Sequence, residues 1–166
     1  MKTLTPQKNN SSDDFQTPPE AILPLLKYLP KDWIVWECAA GKGNLVSQLN
    51  GGGYLVISTD KEFNFLSNVP KDKFDCIITN PPYSIKQQFL ERAYSLGKPF
   101  AFLLPLTAFE TQKRQALFKK HGLQVIFLNK RINFQHPSST TGAWFATAWF
   151  TYGLNLPKDI LFEEIR

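Results

Sequence analysis

The sequence predicts an α/β protein with a doubly wound, mostly parallel sheet and an antiparallel last strand. Three observations carry this. Short apolar runs alternate with longer amphipathic segments along nearly the whole chain. The runs are rich in Val, Ile and Phe with no polar alternation, as in strands covered on both faces. The last two runs have only a polar loop between them, so they form an antiparallel pair at one end of the sheet.

In chain order, residues 1–14 are polar and aperiodic and read as a flexible arm; residues 15–166 read as a single domain. Thr17-Pro18-Pro19-Glu20 reads as a helix start, with Thr17 as N-cap and Glu20 completing a capping box. Ile22, Leu23, Leu25, Leu26 and Leu29 give that helix an apolar face, and Pro30 ends it. Trp33 to Cys38 is a strand, followed by the turn Gly41-Lys42-Gly43 and a short helix through Leu49. Strands at Tyr54 to Thr59, Phe74 to Thr79 and Phe100 to Leu104 follow, with helices from Ile85 to Leu96 and Glu110 to His121. Leu123 to Leu128 and Ala143 to Tyr152 close the pattern as strands.

With 166 residues, 43% of them hydrophobic and 20% charged, the chain has the composition of one soluble globular domain. No apolar run approaches the roughly 20 residues that span a bilayer, so no membrane association and a cytoplasmic location are expected. Two cysteines, Cys38 and Cys76, sit in apolar runs and suggest neither a disulfide framework nor a metal site. The net charge of +5 suits a polyanionic partner as well as simple solubility.

The most informative segment is Ile77-Ile78-Thr79-Asn80-Pro81-Pro82-Tyr83, an apolar strand running into a proline turn. Ligands of parallel α/β sheets gather at the carboxyl ends of strands, where this turn falls. Pro81 and Pro82 lack N–H groups, so the corner presents carbonyl acceptors without competing donors. The Asn80 amide oxygen adds an acceptor, and Tyr83 adds a face for stacking. An aromatic amine held by two acceptors has its lone pair turned out of conjugation, towards an electrophile. A plain strand-ending turn is the alternative; the glycine turn upstream favours chemistry.

That upstream turn, Glu37-Cys38-Ala39-Ala40-Gly41-Lys42-Gly43, joins the first strand to a helix. Its glycines allow close backbone approach, and the helix start offers N–H groups to a carboxylate. It lacks the third glycine of a dinucleotide fingerprint, and Glu37 suits a ligand carrying positive charge. A tight corner is the alternative. Asp60, ending the second strand, is placed to accept ribose hydroxyls or to be an ordinary solvated acid.

In their order, Thr17-Pro18-Pro19-Glu20, the glycine turn and Asn80-Pro81-Pro82-Tyr83 resemble the gamma-type adenine-N6 DNA methyltransferases. Phe145-Ala146-Thr147-Ala148-Trp149-Phe150 resembles the small stand-alone members carried by phages and mobile elements. The resemblance covers about residues 15–153. It implies a Rossmann-like class I methyltransferase fold and S-adenosyl-L-methionine as cofactor. It implies that Thr17 and Glu37 hold the methionine end, with Ala39, Gly41 and Gly43 lining it, and that Asp60 takes the ribose. Asn64-Phe65-Leu66 stands where the family usually has Asp-Phe-Leu to receive the cofactor adenine. The stretch from Asp60 to Phe74 is too short for the family's usual helix and strand, so that sheet edge is expected to be trimmed.

The resemblance further implies that Asn80 and the Pro81 carbonyl bind the target amine of a flipped-out base while Tyr83 stacks on it. Phe134 is the candidate for the opposite face, with a hydrophobic plug as its alternative role. Lys130 and Arg131, beside it, are the candidate phosphate contacts. Direct attack of the amine on the sulfonium methyl needs no metal, and neither His121 nor His136 is required. No separate target-recognition domain is evident, so specificity is expected to be short, relaxed or supplied by a protein partner. A phage-encoded enzyme would act in the host cytoplasm. The competing acceptors are adenine in RNA and a protein glutamine amide, and a non-catalytic methyltransferase-like nucleic-acid-binding subunit is the reading from another class.

Overall fold

The computed structural model describes residues 15–134 and 145–166. The predicted arm 1–14, the predicted strand start at Ala143, and His136 lie outside them. Seven strands form one sheet: β1 (Ile34–Glu37), β2 (Leu55–Ser58), β3 (Cys76–Thr79), β4 (Phe100–Pro105), β5 (Gln124–Leu128), β6 (Thr147–Tyr152) and β7 (Ile160–Glu163), in the order β2-β1-β3-β4-β6-β5-β7. Every pairing is parallel except those that β6 makes with β4 and β5.

The predicted antiparallel pair is therefore present, but it is not the sheet edge. β6 is hydrogen-bonded on both sides, and β7 adds a parallel strand beyond β5. β7 has only four residues, two of them exposed, too few for a periodic signal in the sequence. At the other edge, residues 61–75 contain turns and no strand, so the sheet stops at β2.

The helices α1 (Leu23–Leu26), α2 (Asn44–Gly51), α3 (Lys86–Leu96) and α4 (Gln112–His121) cover the two faces. On one face Ile22, Leu25, Leu45 and Leu49 pack over Val35, Ile78, Leu103 and Trp149. On the other, Phe89, Leu90 and Ala93 of α3 pack over Trp36, Ile77, Phe100 and Phe102. Successive strand residues alternate between these cores, which is why the strands read as unbroken apolar runs.

Two helix starts differ from expectation. Thr17 caps nothing: Pro18 precedes a single 3₁₀ turn at Pro19–Ala21, and α1 is one turn long. Pro24 explains this, because a proline at the seventh position of the expected helix removes an N–H and crowds the carbonyl of Glu20, four residues before it. Thr17, followed by two prolines, stays extended and buried. α4 begins two residues later than predicted because Thr111 Oγ1 accepts from the Arg114 N–H at 3.3 Å, a side-chain N-cap.

Candidate active site

β1 and β3 are neighbours, so their carboxyl ends bring Glu37 and Thr79 together. Glu37 is 1% exposed; its Oε1 accepts from the Ala39 N–H at 2.9 Å and from the Thr79 hydroxyl. Burial pushes its carboxyl up to about 8; the Thr79 and Ala39 hydrogen bonds oppose this, and the nearby charge of Asp60 adds to it. A buried carboxyl held in this way is set to ionise when a positive group arrives.

The turn after β1 bends through two left-handed glycines, Gly41 (φ +52°) and Gly43 (φ +82°). Gly43 is the N-cap of α2 and supplies no side chain to the helix start. At Gly41 a Cβ would lie 3.3 Å from the Gln16 amide nitrogen. The Gln16 side chain folds over the turn and accepts from the Lys42 N–H at 3.3 Å.

A cleft of about 420 Å³ opens over these strand ends. It gathers Thr17, Glu37, Ala39, Gly41, Asp60, Asn80 and Pro82, residues from separate parts of the sequence. Lys42 of the glycine turn lines it too, as do Phe15, Gln16 and Lys61, which no motif in the sequence marks. The available signal was their position, since each adjoins a predicted site residue or stands one removed from it.

The Asn80 amide donates to the Phe15 carbonyl at 2.9 Å, which fixes the orientation of the carboxamide. Its Oδ1 is buried with no hydrogen-bond partner among the described residues. A buried acceptor in this state costs about 1–3 kcal/mol, so a donor from a ligand is strongly favoured there. Pro81 is buried, and Tyr83 opens a 3₁₀ turn into α3. The ring facing Tyr83 is Phe15, at 5.8 Å between centroids and 23° between planes. Phe145 meets Tyr83 edge-on at 5.7 Å.

No protein-family model matches the sequence, and no curated protein matches it. Solved structures do match. One, described as a class I S-adenosylmethionine-dependent methyltransferase of Listeria monocytogenes, superposes with a TM-score of 0.63 at 14% identity, over 95% of this chain and 68% of that one. A second, described as the modification subunit of a type I restriction enzyme from Vibrio vulnificus YJ016, superposes with a TM-score of 0.53 at 15% identity. That match covers 86% of this chain but only 45% of the other. The fold is that of the class I methyltransferases.

Within this methyltransferase fold, not every predicted residue reaches the cleft. Asn64 is exposed with φ +52°, and its Oδ1 accepts from the Leu66 N–H at 3.2 Å, closing its own turn. Phe65 is drawn into the core against Phe89 (4.7 Å) and Trp36 (5.2 Å). Neither lines the cleft, because the strandless stretch after Asp60 folds its Phe65 ring inward. Phe134 is 5% exposed and packs against Phe15 and Phe145 at 5.8 and 6.1 Å, so it buttresses the rings around Tyr83. Lys130 and Arg131 are exposed just before buried Ile132.

Proposed function

We propose that this chain is an S-adenosylmethionine-dependent methyltransferase acting on the exocyclic N6 amine of adenine in DNA. The observation that carries the reading is the buried, unpartnered Oδ1 of Asn80 at a strand end, next to prolines that add no competing donor. The residues present fit the cofactor. Glu37 offers a buried carboxyl to a cationic amino group, the Gly41 turn offers close backbone approach, and Asp60 offers acceptors to a ribose. When bound, S-adenosylmethionine supplies an electrophilic methyl group on a sulfonium sulfur.

The chain's own part in the reaction is positioning and polarisation. Asn80 Oδ1 and the Pro81 carbonyl accept the two N–H bonds of the amine, which draws the nitrogen towards tetrahedral geometry and takes its lone pair out of conjugation with the ring. Tyr83 stacks on the base, and the Phe15 ring now lying against it shifts to admit that base. The proton lost from nitrogen after transfer leaves to solvent. No side-chain nucleophile takes part.

Nucleic acid as acceptor is supported by the net charge of +5, by Lys42 and Lys61 on the cleft lining and by exposed Lys130 and Arg131. The likeness to a restriction-modification subunit is compatible with DNA and with a protein partner that supplies specificity. Among the described residues no helix is long and apolar enough to cross a membrane.

The test is incubation with methyl-labelled cofactor and equal masses of DNA, RNA and protein, followed by mass spectrometry of the labelled species. N6-methyladenine from DNA is the expected product. Label confined to RNA or to a glutamine amide would move the assignment to that acceptor, and absence of cofactor binding by calorimetry would end it.

A further inference from the structure

β7 is the outermost strand, and among the described residues it pairs only with β5. That ladder fixes which backbone groups face outward. The Val125 N–H donates to the Asp159 carbonyl at 2.8 Å, and the Asn129 N–H to the Glu163 carbonyl at 3.0 Å. Backbone direction alternates along a strand, so Asp159, Leu161 and Glu163 face β5 while Ile160 and Phe162 turn N–H and C=O to the open edge. The same two residues carry exposed apolar side chains, 55% and 82%. Phe162 rests on Phe127 at 5.7 Å. An open edge that carries exposed apolar side chains is a template for another strand.

We propose that β7 pairs antiparallel with β7 of a second copy of this chain, about a two-fold axis between the Leu161 residues. The sequence around the edge is self-complementary in that register. Ile160 falls opposite Phe162 of the second copy and exchanges both backbone hydrogen bonds with it. Exposed Lys158 falls opposite exposed Glu164, and each pair occurs twice by symmetry. Sliding by two residues one way sets Ile160 against itself and Lys158 against Phe162. Sliding the other way sets Ile160 against Glu164 and Lys158 against Arg166. The one like-charge pair in the favoured register is Asp159 with Glu163, and Glu163 is already bound to Lys27 and Tyr28 in its own copy. Two short strands bury little surface, so the dimer forms and dissociates with concentration.

Sedimentation equilibrium of the full chain over a wide concentration range tests this. The mass is expected to rise from 19.0 kDa towards twice that value. Phe162→Lys, at an exposed position, should hold it at the lower value throughout. Lys158→Glu should weaken association several-fold, and adding Glu164→Lys should restore it. Amide exchange at Ile160 and Phe162 should slow as protein concentration rises, while exchange at the β2 edge stays constant. A chain monomeric at every concentration overturns the proposal and leaves the strand to a different partner. So does association beyond the dimer, or association unchanged by Phe162→Lys. None of these outcomes depends on the chemistry of the cleft.

Discussion

Asn80 gives its amide N–H to the backbone carbonyl of Phe15, and this one 2.9 Å contact ties the segment before the first helix to the corner after β3. It also decides which end of the carboxamide is left over. Because the nitrogen is taken, the buried oxygen is the group free to accept. Asn80→Ala removes that acceptor from the proposed amine site and leaves Glu37, Gly41 and Asp60 in place. Single-turnover methyl transfer should fall by at least about a hundredfold, the scale of losing one preorganised polar contact in a reacting site. Cofactor affinity by calorimetry should change only a few-fold. Transfer near the wild-type rate would refute the acceptor role.

Tyr83 lies among aromatic rings and does not line the cleft with Glu37 and Asp60. Its proposed contribution is stacking on the acceptor base, worth about 1–3 kcal/mol in other base-binding proteins. Tyr83→Ala should raise the KM for DNA by about 5- to 150-fold with cofactor affinity unchanged. Tyr83→Phe keeps the ring and should stay near wild type. If both variants weaken cofactor binding equally, the ring belongs to the cofactor site and not to the acceptor.

Much of the lining of the candidate cleft was legible in the sequence, for a physical reason. Asn80-Pro81-Pro82-Tyr83 and the Gly41 turn come directly after buried strands, and the carboxyl ends of parallel strands have one place to go. What could not be read depended on packing across the fold. Phe15 becomes the ring on Tyr83 through the Asn80 amide that donates to its carbonyl, a contact between residues 65 apart in the chain. Phe65 resembled a ligand contact by motif, yet Trp36 and Phe89 leave a core gap that it fills. β7 is held by pairing with β5 and by Glu163 binding Lys27, long-range contacts that no local pattern records.

Glu37 makes stability depend on pH in a definite direction. Its carboxyl ionises near 4.5 in an exposed chain and at about 8 when folded. Between those values the folded protein holds a proton that the unfolded chain has lost. The contribution is fully present below about 4.5, declines as pH rises, and is gone above about 8. Glu37→Gln keeps an acceptor for the Ala39 N–H and does not titrate. In thermal melts from acid to mildly alkaline pH, wild type should lose stability relative to this variant as pH rises. A constant gap between the two would show that the buried carboxyl does not titrate in this window.

The two glycines of the first turn should behave differently. An alanine at either must adopt a left-handed backbone, costing about 1–2 kcal/mol. At Gly43 the new methyl meets nothing within 4 Å, so the effect should be confined to stability. At Gly41 it presses on the Gln16 amide at 3.3 Å and projects into the lining of the cleft. Gly41→Ala should therefore weaken cofactor binding as well as lower the melting temperature, whereas Gly43→Ala should only lower the melting temperature. Equal losses of cofactor affinity in both would remove the close-approach argument for Gly41.

Lys130 and Arg131 are held at the surface by their neighbours Ile132 and Phe134, which are buried and anchor the segment beside the aromatic cluster. If the two cations contact phosphate in the proposed complex, each contributes through counterion release and carries no sequence information. Lys130→Ala and Arg131→Ala should then each lower the magnitude of the salt dependence of DNA affinity by about one unit of slope. They should weaken binding to unrelated sequences alike and leave kcat at saturating DNA unchanged. An unchanged slope would mean that these cations belong to a merely solvated face, and Lys42 and Lys61 on the cleft lining would become the residues to substitute.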